Sequence, residues 1–199
     1  MRKLMIMVAL TLGACGGGDA QGEPAEATSS GGEGDTQVDV IAPEGPIEPA
    51  PVAVAEMRPT EGNAVEGTVR FQQQGQLVRV QVDLTGLPPQ SRHGFHVHEN
   101  GDCSAPDGTS AGGHYNPGGH DHALPDGAAR HAGDMGNVEA DISGEVHVEL
   151  AFETFSVNGD HLPPVTGRAV IVHADPDAAG QPTGNAGARV ACGVITLVE

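Results

Sequence analysis

The stretch LVRVQVDL, residues 77–84, alternates without a break: Val78, Val80, Val82 and Leu84 fall on one side, Arg79, Gln81 and Asp83 on the other. A period of two is the signature of a strand with one buried and one wet face. EVHVELAF, residues 145–152, repeats it, with Val146, Val148, Leu150 and Phe152 opposed to Glu145, His147 and Glu149. VAVAEM, EGTVRFQQ, GFHVHE, GRAVIVHA and ARVACGVITLV are further strand-like runs separated by glycine- and proline-rich breaks. No long stretch carries a helical period. The pattern predicts an all-β domain of about eight antiparallel strands, a barrel or sandwich.

Outward from these strands, the chain divides by composition. Residues 1–15, MRKLMIMVALTLGAC, hold two positive charges, an apolar run, small residues and Cys15. They read as a secretory signal, too short for a comfortable membrane span. The ending LGAC resembles a bacterial lipobox, in which the cysteine is lipidated; the plainer reading is an ordinary signal with an incidental cysteine. Residues 16–51 contain eight acids and no Lys, Arg or aromatic residue. Such a segment cannot bury enough apolar surface to offset its ordering entropy, and it is expected to be a disordered tether with a mean reach of about 35 Å. The folded domain is expected over residues 52–199, long enough for one good core. The whole chain has 27 acidic against 9 basic residues, so nucleic acid is not an expected partner.

One connection, from about Glu99 to Gly136, is far too long for a hairpin and nearly free of apolar runs, which marks it as functional. Just before it, in GFHVHENGDC (94–103), His96 and His98 share a strand face while Phe95 and Val97 share the other. Two imidazoles about 7 Å apart can reach one metal, but an H-x-H alone is equally a pair of surface histidines. The connection itself supplies His114, His120, His122, His131 and Asp134, and GRAVIVHADPD adds His173 near a strand end. Imidazole and carboxylate donors without thiolates suit zinc or copper(II). Four of them could fold the loop around an ion; otherwise it is a flexible histidine-rich loop binding metal loosely.

From VEGTVRFQQQ to TGNAGARVACGVITLVE the domain resembles the copper/zinc superoxide dismutases, of the bacterial secreted type. GFHVHE, GGHYNP and GNAGARVACGVI together carry the resemblance. It implies an eight-stranded Greek-key barrel. It further implies copper at His96, His98, His114 and His173, and zinc at His114, His122, His131 and Asp134, with His114 shared. Asp177 matches an aspartate that hydrogen-bonds one histidine of each metal, and Arg189 and Thr183 match a pair flanking an anion entrance. Setting Cys15 aside for lipid, Cys103 and Cys192 are the remaining pair, and an exported chain is expected to oxidise them to a disulfide. Cys103 lies closer to His98 than in eukaryotic relatives.

The implied reaction is disproportionation of two superoxide anions and two protons to oxygen and hydrogen peroxide. His114 would deliver a proton and Arg189 would hold the anion. The partners implied are superoxide, a membrane through the lipid anchor at the cell envelope, and a second copy of the chain in a homodimer. Two features depart from the family: a short segment between His173 and Arg189, and a domain with 7 arginines, 19 acids and no lysine. A non-enzymatic copper or zinc carrier, or a structural envelope lipoprotein, is the alternative on the same barrel. His93, His147 and His161 are expected to be structural or solvated, and His120 is a competing zinc donor.

Overall fold

A computed structural model describes residues 50–198. The expected signal, Cys15 and nearly all of the expected tether lie outside the described residues. Eight strands run in chain order: β1 Val52–Pro59, β2 Glu66–Gln74, β3 Leu77–Thr85, β4 Arg92–His98, β5 Asp134–Glu139, β6 Val146–Phe152, β7 Ala169–His173 and β8 Arg189–Leu197. One short 3-10 turn, Thr109–Ala111, lies between β4 and β5. The spatial order is β5-β4-β7-β8-β1-β2-β3-β6, and every hydrogen-bonded pair is antiparallel. The sheet curls into a nearly closed barrel, so the expected all-β Greek-key architecture holds.

The alternating runs bury the predicted faces. Val78, Val80, Val82 and Leu84 are fully buried opposite Phe71, Val69 and Phe152. Val148 and Leu150 are only half-buried because β6 is a terminal strand of the sheet and lacks a second hydrogen-bonded neighbour. Phe155, just after β6, plugs the core with its ring centroid 6.2 Å from Phe71 and 5.6 Å from Phe152.

The structure shortens the long connection. β5 begins at Asp134, inside the segment expected to be loop. DMGNVE has a glycine and only two apolar residues, Met135 and Val138, so its sequence carries no clear alternation, although both are buried.

A second, smaller apolar cluster lies on the outer face of β7 and β8. Ala169, Ile171 and Cys192 pack there against Ala111 of the connection. Cys103 and Cys192 form the expected disulfide, with Cα atoms 5.8 Å apart across 89 residues of chain. This staple and the small cluster give the connection an apolar footing on the barrel wall.

Two variants test this account. Phe155→Ala should lower unfolding free energy by about 3–5 kcal/mol in urea titrations, the usual effect of deleting a buried aromatic ring; a loss below about 1 kcal/mol would show that the ring does not plug the core. Under the chain-entropy account, Cys103→Ser with Cys192→Ser should destabilise the oxidised protein by roughly 4–5 kcal/mol, because the closed loop is so long.

Candidate metal centre

Strand register decides where the histidines go. β4 pairs with β7 so that Phe95 meets Val172 and Val97 meets Val170, all four in the main core. Period two then turns His96, His98 and His173 to the outer face, beside Ile171 and Ala169. Two irregularities refine the placement. A register shift between Gly94 and His96 sets His96 opposite Asp134, and one between Val172 and His173 sets His173 opposite Arg189.

The connection is threaded along β4 by main-chain hydrogen bonds. Tyr115 N–H donates to the Val97 carbonyl, and Val97 N–H donates to the Gly133 carbonyl, both at 2.9 Å. His98 and His114 form an isolated β-bridge. The outer face of β4 is therefore roofed rather than wet, and His96, His98, His114, His122, His131 and His173 are all buried.

These side chains converge in two groups. His96, His98, His114 and His173 each offer a ring nitrogen, and the four atoms lie within 4.8 Å of one another. His114, His122, His131 and Asp134 do the same. His114 belongs to both. Its Nδ1 lies 2.8 Å from Asp134 Oδ1, and the same oxygen is 3.0 Å from His122 Nδ1 and 3.1 Å from His131 Nδ1.

The opposite ring nitrogens are committed elsewhere. His96 Nε2 donates to Asp177 Oδ2 at 2.9 Å, His122 Nε2 to Asp177 Oδ1 at 3.0 Å, His98 Nδ1 to the Gly112 carbonyl at 2.9 Å, and His173 Nδ1 to the Gly187 carbonyl at 3.3 Å. In a neutral imidazole, donation from one nitrogen leaves a lone pair on the other. Apart from Arg130 Nε, the buried side-chain nitrogens without a hydrogen-bond partner among the described residues are those lone-pair nitrogens: His96 Nδ1, His98 Nε2, His122 Nδ1 and His173 Nε2, together with His114 Nε2. Lone pairs facing one another in a dry pocket are unfavourable unless a cation sits among them. The donor sets, four imidazoles and three imidazoles with a carboxylate, fit copper and zinc.

Electrostatics keep the donors ready. Burial lowers the His96 pKa to about 4, and burial with the neighbouring His96 ring lowers that of His173 to about 3. Burial likewise holds His98 well below its ordinary value. All three rings are therefore neutral near pH 7. Burial pushes the Asp134 carboxyl up, but the His114 hydrogen bond, the Ala123 N–H and the nearby His122 and His131 more than offset it. Asp177 follows the same balance, with the His96 hydrogen bond opposing burial, and stays ionised.

Gly184 makes room for this carboxylate. Its φ of +80° suits glycine, and a Cβ there would lie 2.4 Å from Asp177 Oδ1.

Arg189 stands at the end of β8 beside the first group. Its two terminal nitrogens donate to the Gly108 and Gly112 carbonyls, each at 2.5 Å. Gly112 O thus serves Arg189 and His98 together. Arg189, Thr60, Asp107 and Thr109 help line a hollow of about 320 Å³. Thr183 is exposed in the turn near Gly184 and is not among the residues lining that hollow.

Other histidines sort cleanly. His120 is exposed and joins neither group. His147 is solvated, 2.9 Å from Asp83, and His161 Nε2 lies 3.4 Å from Gln73 Nε2. His93 is more than a bystander: it is buried, and its Nδ1 lies 2.7 Å from the His173 carbonyl oxygen.

Sequence reasoning also missed Asn137. Its side-chain amide meets the Asp177 backbone twice, at 2.7 and 3.1 Å. Neither His93 nor Asn137 stands at a ligand-like spacing, so only the folded arrangement identifies them.

Residues 65–195 match the family described as copper/zinc superoxide dismutase (SODC). A Cu-Zn superoxide dismutase of Paramecium bursaria Chlorella virus 1 is 44% identical over 139 residues, 66% of this chain and 72% of that protein. An extracellular Cu-Zn superoxide dismutase of Caenorhabditis elegans is 40% identical over 141 residues, 67% of this chain and 62% of its own length. The crystal structure of the clock protein EA4 superposes with a TM-score of 0.67 at 39% identity, covering 77% of this chain and 99% of that one. Barrel, paired donor groups and sequence likeness agree: the chain belongs to the copper/zinc superoxide dismutase family.

Proposed function

We propose that the protein is a superoxide dismutase, converting two superoxide anions and two protons to dioxygen and hydrogen peroxide. The observation that carries this reading is a single ring, His114, with a nitrogen in each of two converging donor groups. In this reading His96, His98, His114 and His173 hold copper, while His114, His122, His131 and Asp134 hold zinc. When bound, copper supplies the redox chemistry, taking an electron from one superoxide and passing it to the next.

The chain's own residues then have distinct tasks. His114 Nδ1 would be committed to the zinc group, leaving Nε2 either to take its place in the copper group or, when it is not so engaged, to hold a proton and release it to the peroxide product. Arg189 binds the anion: each terminal nitrogen uses one N–H on a loop carbonyl and keeps another for the substrate. Asp177 fixes one ring from each group and so sets the angle between them. A metal carrier on the same barrel needs neither the shared ring nor the guanidinium, so their coexistence favours the enzyme.

The test is His114→Ala in protein loaded with both metals. Zinc affinity should fall and dismutation should be lost, read by metal analysis and superoxide decay. Dismutation at the wild-type rate with copper still bound would overturn the shared-ring assignment.

We also propose that the chain is exported by residues 1–15, lipidated at Cys15 and tethered through residues 16–51, so that it removes superoxide at the bacterial cell envelope. The disulfide and the extracellular relative support export. Cys15→Ser should shift the protein from the membrane to the soluble fraction without changing its specific activity, because Cys15 lies outside the barrel sequence that carries the donor groups. Soluble, lipid-free wild-type protein from the native host would refute this.

A further inference from the structure

The segment between β7 and β8 holds His122 at three points, one through Asp177 and two through Gln181, and neither residue belongs to a donor group. Asp177 Oδ1 takes the ring, through His122 Nε2 at 3.0 Å. Four residues on, the Gln181 side-chain amide meets the His122 backbone in both directions. Its Oε1 accepts from the His122 N–H at 3.2 Å, and its Nε2 donates to the His122 carbonyl at 2.8 Å. Among neutral side chains, a primary amide carries an acceptor and a donor side by side in this way.

Gln181 is itself exposed, so this clasp, not core packing, accounts for its placement. It also rides on the same turn as Asp177. Ala179 N–H donates to Asp177 Oδ1, and Ala178 N–H to the Gly184 carbonyl, both at 2.8 Å. Ring and backbone of His122 are therefore gripped by one short, internally bonded segment.

On its other side, the next residue, Ala123, donates its N–H to Asp134 Oδ2 at 3.1 Å. The His122 Nδ1 lone pair is aimed at the second donor group by this double hold. On the copper side, His98 and His173 are held by different acceptors, Gly112 O and Gly187 O, and His96 shares Asp177 through its other oxygen, Oδ2; none of the three is bonded to Gln181.

We infer that Gln181 is a positioning residue for the metal held at His122, clamping the His122 backbone so that zinc retention depends on the order of the 177–185 segment. The inference rests on the reading of His122 as a zinc ligand. Without the clasp the ring keeps only its Asp177 bond, while the copper-side bonds to Gly112 O, Gly187 O and Asp177 Oδ2 do not involve Gln181 and remain.

The experiment uses full-length protein carrying copper and zinc. Zinc and copper transfer to a chelator are timed for wild type, Gln181→Ala, Gln181→Glu and His122→Ala. Gln181→Ala should release zinc about tenfold faster, the scale expected when a ligand loses its outer hydrogen bonds. Gln181→Glu should also accelerate release, because it sets a carboxylate against the His122 carbonyl. Copper release should match wild type in both. With cobalt(II) in the zinc position, the visible absorption of Gln181→Ala should shift as the His122 ring reorients. Wild-type zinc release in both Gln181 variants would overturn the clamp, as would equal acceleration of zinc and copper. Undiminished zinc retention by His122→Ala would overturn instead the ligand assignment beneath it.

Discussion

Lone pairs crowded into a dry pocket are the constraint around which this structure is arranged. Five buried ring nitrogens present no hydrogen to any acceptor, and they are tolerable together only around cations. Each ring must therefore surrender its hydrogen elsewhere, and an acceptor must wait on the far side. For His96 and His122 that acceptor is Asp177; for His98 and His173 it is a loop carbonyl. Because Asp177 serves one ring of each group, the two groups are set in a single arrangement rather than two adjacent ones.

The barrel supplies rigidity, and the connection between β4 and β5 supplies most of the chemistry. That connection has little apolar surface of its own. It is held by its main-chain ladder along Val97, by the disulfide, and by the small cluster of Ala111, Ile171 and Cys192. The same staple keeps the Gly108 and Gly112 carbonyls beneath Arg189, so the redox state of two cysteines and the aim of the guanidinium are structurally linked. Burial lowers the Arg189 pKa, but the group starts so high that it stays charged.

The charge pattern sets this chain apart from what an anionic substrate would suggest. The domain is strongly acidic, and Asp107 lines the same hollow as Arg189. Under the proposed function, long-range attraction would be weak and capture would depend on the short-range field of Arg189 and the metals, where low dielectric walls strengthen it.

Most strands were legible in the sequence because one face of each is wet and the other dry, and an alternating pattern records that contrast directly. LVRVQVDL kept its predicted face to the last residue. β5 was illegible: a glycine and a register shift break its period, and its position is set by pairing with β4. The residue types of the two converging donor groups and their spacing were also legible, since a metal demands particular side chains. What holds those side chains was not. Gly112 O and Gly187 O are carbonyls that every residue possesses, and the amides of Asn137 and Gln181 gain meaning only from what the fold places opposite them. Side-chain chemistry is written residue by residue, so the sequence alone determined the donors. Hydrogen-bond acceptors and register depend on contacts distant along the chain, so only the tertiary structure decided how those donors are aimed.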